Sequence, residues 1–375
     1  MSTSCTYSHI PVDITIANDK RNAALGNIFL DVRSVPQTRE QSPMLQLNVS
    51  MPARRTRLLV ASGFGLFAGV FCWYLMQHFH QGAGDFIWAI RAAGDLLDKR
   101  NPYATPGQLY PLPAALFGLP FVHLRPEIAG GIFYGISTAL LALGITRRGY
   151  HHLLIFLAYP YWAGMLTVQW IPLIMASTFF WWLMPVAPAK PQIGLPVLLA
   201  RSERNGILSC LGVIVISLLL MPHWPSLWLA ETGKYIRFIP LLVLPGPLLL
   251  AALARYRDRD AWLLLLAACM PQRWFYDPFL LWLIPKTRRQ IVFTVGLSWI
   301  PGIWRWYHTP RGVTEVGRLV VLCFYLPMLA VLLWPLKQRG IQQNSEAQSK
   351  TDFREPTAAS EKDREDSGTK VPRQS

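Results

Sequence analysis

The feature that most constrains this chain is the run from Leu58 to Phe79, which carries no ionised side chain until after its end. At about 1.5 Å per residue, a helix of this length covers the ~30 Å hydrocarbon core of a bilayer. The run is too long for the apolar part of a cleaved signal peptide, and similar segments follow it. We therefore predict a membrane-spanning helix, and the 52% hydrophobic content favours a membrane protein over a soluble domain.

The two ends of the chain differ from the middle. Residues 1–50 hold four basic and four acidic side chains, and residues 339–375 hold seven of each. Neither end buries enough apolar surface to offset its ordering entropy. We predict a disordered N-terminal extension (1–50), a polytopic membrane domain (51–338) and a disordered cytoplasmic tail (339–375). The stretch "MPARRTRLLV" from Met51 resembles the start of a bacterial membrane protein.

The net charge of +15 belongs entirely to residues 51–338, which keep 25 Lys and Arg against 10 Asp and Glu. These positive charges lie at the ends of apolar runs, where they set orientation and meet lipid phosphate. The pattern predicts a multi-pass protein of a bacterial cytoplasmic membrane with both termini in the cytoplasm. Membrane lipid is an expected partner, and nucleic acid is not.

Further apolar segments follow the first run, and several are shorter than the ~20 residues that a straight span needs. We therefore predict an all-α fold with about eight to ten helical membrane segments, some of them broken or re-entrant. The candidates are Leu109–Leu124, Glu127–Thr146, Leu153–Val168, Ile171–Pro185, Ile193–Ala200, Ile207–Met221, Ile236–Ala254, Ala261–Ile284, Ile291–Tyr307 and Val316–Leu336.

Prolines predict breaks in two of these segments, Leu109–Leu124 and the "PQRWFYDP" stretch at 271–278, because proline removes a backbone donor. With these breaks, the positive-inside rule places the basic clusters on one side of the membrane. The opposite, outer side collects residues 80–108, 167–170, 222–235, 271–278 and 305–314.

Residues 84–103, "GDFIWAIRAAGDLLDKRNPY", predict an amphipathic surface helix in the first external loop, ending at Asn101 and Pro102. Pairs four residues apart, Arg91 with Asp95 and Asp95 with Lys99, should support it. Its apolar face comprises Phe86, Ala89, Ile90, Ala93 and Leu97.

Asp85 stands at the junction between the first span and this surface helix, next to Gly84. One interpretation is a helix N-cap that accepts backbone amides. Another is a carboxylate at the water boundary of a membrane cavity, placed to take a proton from a substrate hydroxyl.

Arg273 and Asp277 lie four residues apart inside an apolar segment, where ionised groups pair, line a wet cavity or serve function. A structural ion pair and a phosphate site at Arg273 both remain open, since a guanidinium can bind two phosphate oxygens. Gln169 and Lys190 alone would be boundary residues. The histidines and cysteines show no metal-ligand spacing, so the sequence indicates no cofactor and leaves a divalent metal open.

A series of short motifs follows the first apolar run, in the order "GDF", "NPY", "YPLP", "VQWIPL", "KPQIGL", "PHWPSLWL" and "FYDPFLLWLIPKTRR". Their order resembles the polytopic glycosyltransferases of the GT-C superfamily, and within it family 87, the polyprenyl-phosphate-mannose-dependent mannosyltransferases. The resemblance spans about residues 51–336.

The resemblance implies an inverting transfer of a sugar, mannose in family 87, from a polyprenyl-phosphate donor to a hydroxyl of a glycan or glycolipid acceptor. It makes Asp85 the catalytic residue of the first external loop. It places Tyr103 and Tyr110 beside the sugar or acceptor. It places Gln169, Lys190 and Arg273 near the donor phosphate. Tyr276 and Asp277 are further substrate-binding candidates. The family has glycine where Val168 stands here.

Two other functions fit the residues. A transporter or flippase for lipid-linked or small solutes could use the intramembrane Arg273 and Asp277, although the internal repeats common in transporters are absent from this sequence. A non-catalytic membrane scaffold would need neither these residues nor Asp85.

Overall fold

The computed structural model describes residues 51–104, 107–232, 238–273, 275–309 and 312–334. The predictions for residues 1–50 and 339–375 lie outside them. Within the described ranges the chain is helical and forms no strand; an isolated bridge joins Phe238 to Gln272. The all-α prediction is confirmed for this part of the chain.

The α-helices are α1 (Met51–His78), α2 (Ile87–Leu97), α3 (Pro113–Gly118), α4 (Pro126–Ile145), α5 (Tyr159–Leu166), α6 (Ile171–Ser177), α7 (Pro191–Arg201), α8 (Arg204–Leu220), α9 (Trp224–Thr232), α10 (Arg259–Cys269), α11 (Arg288–Tyr307), α12 (Val313–Val320) and α13 (Leu326–Leu333). A π-helical turn, Val321–Tyr325, joins α12 to α13. The 3₁₀ helices are Gly84–Phe86, Pro102–Ala104, Leu119–Phe121, Tyr150–Leu157, Trp181–Ala189, Pro240–Leu242, Gly246–Arg255 and Asp277–Leu283.

Within the described residues, three helical stretches are long and apolar enough to cross a membrane: Arg54–His78, Pro126–Ile145 and Val313–Leu333. A fourth is possible in length and composition if α8 and α9, which meet at a bend of 100°, form one broken span. The predicted first span is therefore present as a helix of suitable length. The other apolar segments form shorter helices, so the number of eight to ten membrane segments stays a prediction.

Both breaks predicted from proline are present. The segment that contains Pro111, Pro113 and Pro120 forms only the six-residue α3 and a 3₁₀ turn. Helix α10 ends at Cys269, and helical structure resumes at Asp277. These interruptions follow from the missing amide donor of proline, and the second one supplies polar groups to the site described below.

Helix α1 packs closely against α4 through small residues. A Cβ atom added at Gly65 would lie 2.6 Å from Ala139 Cβ and 2.8 Å from the Gly135 carbonyl oxygen, and one at Gly69 would lie 3.0 Å from the Gly131 carbonyl oxygen. Without side chains at these positions the two backbones approach closely, as in many membrane helix pairs. Only 22% of the apolar window of α1 is buried against 67% for α4, so α1 lies at the periphery.

Three of the segments predicted to face outward are in contact. The Asp85 amide donates to the Thr167 carbonyl at 2.8 Å, and the Gly107 amide donates to Glu231 Oε2 at 3.2 Å. Three of the basic clusters predicted to face inward line one pocket, in which Arg201 forms an ion pair. The side of the membrane on which each segment lies remains a prediction.

The surface helix is present as α2, but its predicted end was wrong. The helix ends at Leu97, and Lys99 adopts a left-handed conformation with φ +56°. Asn101 and Pro102 therefore lie beyond the end of the helix. A positive φ at a helix C-terminus turns the chain away after the last hydrogen-bonded turn.

The predicted ion pairs of the surface helix were also replaced. Asp95 pairs with Arg100 at 3.0 Å, and Arg100 also reaches Asp98 at 2.8 Å. The Arg91 guanidinium lies 5.8 Å from the centre of the Trp88 ring. The left-handed turn at Lys99 brings Arg100 back over the helix, which explains why the spacing rule for a continuous helix failed.

Substituting Gly65 with alanine should force α1 away from α4 and lower the free energy of unfolding by about 1–3 kcal/mol. The matched control is Gly63→Ala on the same helix, where an added Cβ meets no atom within 4 Å. The control should be neutral or slightly stabilising because alanine favours helix. Thermal unfolding of the purified full chain in detergent measures both. Equal melting temperatures for the two variants would contradict the close packing.

Candidate functional site

Asp85 is held in place by its own backbone. Its amide donates to the Thr167 carbonyl at 2.8 Å, and the preceding Gly84 adopts φ +52°. A Cβ atom at Gly84 would lie 2.5 Å from that same carbonyl oxygen. Glycine is required here both for the left-handed conformation and for the close approach of the two segments.

Asp85 does not cap a helix. The residue before the 3₁₀ turn is Ala83, and neither this turn nor α2 has a side-chain capping hydrogen bond. The N-cap interpretation of Asp85 was therefore wrong. Its side chain is half-buried and turns toward other segments of the chain.

Aromatic packing fixes the residues that flank the site. The Phe86 ring stacks on Phe133 with centroids 3.9 Å apart, and Trp170 meets both rings edge-on. Phe86 and Trp170 are the chain neighbours of Asp85 and Gln169, and both are fully buried. Burying three large rings together anchors the two loops, so the polar residues beside them have defined positions.

The Asp85 carboxylate begins a chain of hydrogen bonds. Its Oδ2 accepts from the Tyr110 hydroxyl at 3.3 Å and from Gln169 Nε2 at 2.5 Å. The other end of the Gln169 amide accepts from Lys190 Nζ at 2.5 Å. The ammonium can only donate and the carboxylate can only accept, which fixes the orientation of the amide between them.

Lys190 and Asp277 form a buried ion pair, with Nζ and Oδ1 2.9 Å apart and side chains 2% and 0% exposed. The ammonium also lies 4.9 Å from the centre of the Tyr276 ring. The second carboxylate oxygen, Oδ2, accepts from the Arg273 amide at 2.7 Å. Since both charges are desolvated, each depends on the other and on these further contacts.

Asp85 is the acidic side chain at the exposed end of this network. Lys190 and Asp277 pair with each other, and the uncharged Gln169 lies between that pair and Asp85. Asp85 is half-exposed whereas Gln169 is fully buried. The arrangement therefore presents a fixed carboxylate at the boundary between a buried polar network and a more open region.

A cavity of about 290 Å³ lies beside the network. Tyr110 lines it, as do Ala189 and Pro191, the chain neighbours of Lys190. The walls are mostly apolar, with polar groups from Tyr110, Gln192, Trp228 and Thr232. An apolar cavity with a few convergent polar groups is typical of a site for a small organic ligand.

Tyr103 supports the site indirectly, through the backbone of Tyr110. Its hydroxyl donates to the Tyr110 carbonyl at 3.2 Å, and the ring packs against Leu112 and Trp224. Burial raises the pKa of Tyr103 above its usual range, so the phenol stays protonated and can donate this bond. The Tyr103 hydroxyl thus contacts the backbone that carries Tyr110 and acts on the site through it.

Two predicted roles change with this geometry. The sequence left open an ion pair between Asp277 and Arg273, four residues earlier. In the structure, Asp277 pairs with Lys190, which comes from a distant segment. Arg273 contributes its backbone amide to Asp277 and is half-buried at the break after α10. Lys190 is already neutralised and enclosed, so it orients Gln169 instead of offering a free charge.

Sequence reasoning missed Thr167 and the backbone at Val168. Thr167 Oγ1 lies 3.1 Å from Gln169 Nε2, and Val168 adopts φ +47°. A β-branched residue in this conformation is strained. The family that the sequence resembles commonly has glycine at this position, so the resemblance, and not the valine itself, was the signal for a left-handed turn before Gln169.

Among the described residues, no group of three or more His, Cys, Asp or Glu side chains is arranged to hold a metal ion. Compared with known proteins, the chain matches no family profile, no curated sequence and no solved structure.

Replacing Asp277 with asparagine should leave the Lys190 ammonium buried without its counter-charge and destabilise the fold by about 3–5 kcal/mol. Thermal unfolding of the full chain in detergent measures the loss. The control is Asp98→Asn, which removes an exposed carboxylate and should cost less than about 1 kcal/mol.

Combining Asp277→Asn with Lys190→Met removes both charges and should recover part of that loss, since no unpaired charge then remains buried. A single Asp277→Asn variant as stable as the Asp98→Asn control would show that the pair is not desolvated as the structure has it.

Proposed function

We propose that this chain is a membrane glycosyltransferase of the inverting GT-C type. It transfers a sugar, mannose by the resemblance to family 87, from a polyprenyl-phosphate donor to a hydroxyl of a glycan or glycolipid on the outer face of a bacterial cytoplasmic membrane. The proposal draws its main support from the convergence of Asp85, Tyr110, Gln169 and the Lys190–Asp277 pair beside one cavity. These groups come from distant parts of the sequence.

Asp85 is the general base in this proposal. Among the described residues, both hydrogen bonds to its carboxylate reach Oδ2, which leaves Oδ1 for the acceptor hydroxyl. The acceptor oxygen attacks the anomeric carbon and its proton passes to Asp85. The bond between that carbon and the phosphate oxygen breaks, and polyprenyl phosphate leaves with the bonding electrons.

Gln169 and Lys190 act by positioning the base. Gln169 holds Oδ2 of Asp85, and Lys190 holds Gln169 through its oxygen. A network fixed before the substrate arrives avoids reorganisation during the reaction. Because Lys190 is enclosed, the role of meeting the leaving phosphate passes to Arg273, two residues after the cavity-lining Pro271.

The cavity is suited to a sugar that arrives on a lipid. Its polar groups can meet hydroxyls, and its wall includes Leu195 and Leu229, which are both partly exposed on the molecular surface. An apolar opening toward lipid would let a prenyl chain stay in the bilayer while its phosphate reaches the polar network.

The Asp85→Asn variant should transfer mannose from polyprenyl-phosphate-mannose about 10²–10⁴-fold more slowly, because asparagine keeps the size but cannot take the proton. Labelled mannose transfer by proteoliposomes of the full chain measures this. The control is Asp98→Asn, an exposed carboxylate near the end of the same surface helix, and its rate should be unchanged.

Unchanged transfer by a normally expressed Asp85→Asn variant would refute the catalytic assignment. Movement of a lipid-linked sugar across the same proteoliposomes without any acceptor, undiminished in Asp85→Asn, would favour the transporter instead.

A further inference from the structure

A second concave site lies where the basic clusters meet, apart from the Asp85 network. It is a cavity of about 590 Å³ with five cationic side chains in its lining. They come from the end of α7, the end of the 3₁₀ helix Gly246–Arg255, the turn after it, the start of α10 and the segment before α11. They are Arg201, Arg255, Arg257, Arg259 and Lys286.

Two carboxylates organise these cations. Asp260, whose side chain is 3% exposed, pairs with Arg201 and with Lys286, the latter at 2.5 Å. Asp258 pairs with Arg255 at 3.2 Å and caps α10 by accepting from the Asp260 amide at 2.9 Å. Both acidic groups are thus engaged within the protein.

The lining therefore carries an excess of positive charge. Five cations face two carboxylates, so a net charge of +3 surrounds one cavity. Burial, followed by the positive charges of Arg148 and Arg259, lowers the pKa of Arg201 to about 10. Within the described part of the chain, Arg201 Nε is buried without a hydrogen-bond partner. An anion in this cavity would reduce the repulsion among the cationic side chains and could accept a hydrogen bond from Arg201 Nε.

The chain next to the cavity points to the lipid bilayer as the source of the anion. Leu253, Tyr256 and Trp262 are sequence neighbours of the lining residues, and they are 46%, 56% and 43% exposed. Trp262 Nε1 donates to the Tyr256 backbone carbonyl at 2.6 Å, which holds the indole against this stretch of chain. Exposed aromatic and aliphatic side chains beside cations are typical of the membrane interface.

We propose that this cavity binds the phosphate of an anionic phospholipid, with Arg257 and Arg259 as the accessible cations and Arg201 beneath them. Membrane orientation alone would require positive charge in the loops, but not a concavity with a buried shared carboxylate. The inference does not depend on the proposed glycosyl transfer, because the two sites share no residue.

The test uses the purified full chain in neutral detergent and follows binding of dioctanoyl-phosphatidylglycerol by native mass spectrometry. The Arg257→Gln/Arg259→Gln variant should bind this lipid about 30-fold more weakly, since each basic residue near the headgroup contributes about fivefold. The matched control is Arg288→Gln/Arg289→Gln, which removes the same charge from exposed positions that do not line the cavity. Its affinity should change by less than about twofold if binding is local.

Three results would overturn the proposal. Equal weakening in both double variants would indicate a diffuse positive surface. Equal binding of dioctanoyl-phosphatidylcholine would indicate partition of acyl chains. Competition by inorganic phosphate at the concentration of the short-chain lipid would indicate a site for a soluble anion.

A second measurement on the wild-type chain does not depend on how the variants fold. Photo-crosslinking with a phosphatidylglycerol that carries the reactive group near its headgroup should label peptides that contain residues 254–262. Labelling spread evenly over the other basic segments would contradict the assigned site.

Discussion

The buried ion pair between Lys190 and Asp277 is the interaction on which the polar interior depends. Two full charges are held with almost no exposure, and this is tolerable only because each neutralises the other. The pair also determines the state of its neighbours, since the ammonium orients the Gln169 amide and that amide holds the Asp85 carboxylate. A group at the surface is thus positioned by an interaction deep inside the protein.

Backbone geometry brings these groups within reach. The left-handed turns at Gly84 and Val168 let the loop after α1 and the Thr167 carbonyl approach each other, and buried aromatic rings hold both loops in place behind the site. The surrounding packing balances the backbone strain at Val168. Because of this turn, the Thr167 carbonyl accepts from the Asp85 amide and the Gln169 side chain donates to the Asp85 carboxylate. In the cationic cavity, the single carboxylate of Asp260 holds both Arg201 and Lys286, so positive charge exceeds negative charge there.

Some of the site could be anticipated from the sequence, and some could not. Asp85 was predictable because it follows a long apolar run and precedes an amphipathic helix. The ionised groups near Arg273 were conspicuous because charges inside apolar segments are rare. The actual partner of Asp277 was not predictable, since Lys190 is 87 residues away and looked like a boundary residue before a proline. Local spacing rules also failed at α2, where one left-handed residue redirected Arg100.

The sequence by itself determined the helical class of the described chain, the first long apolar helix and the proline breaks. These follow from side-chain hydrophobicity and from the missing amide of proline, which act over a few residues. Only the tertiary structure decided that Tyr110, Gln169, Lys190 and Asp277 join Asp85 in one network. Contacts between distant segments depend on how whole helices pack, and neither periodicity nor charge spacing in the sequence encodes that arrangement locally.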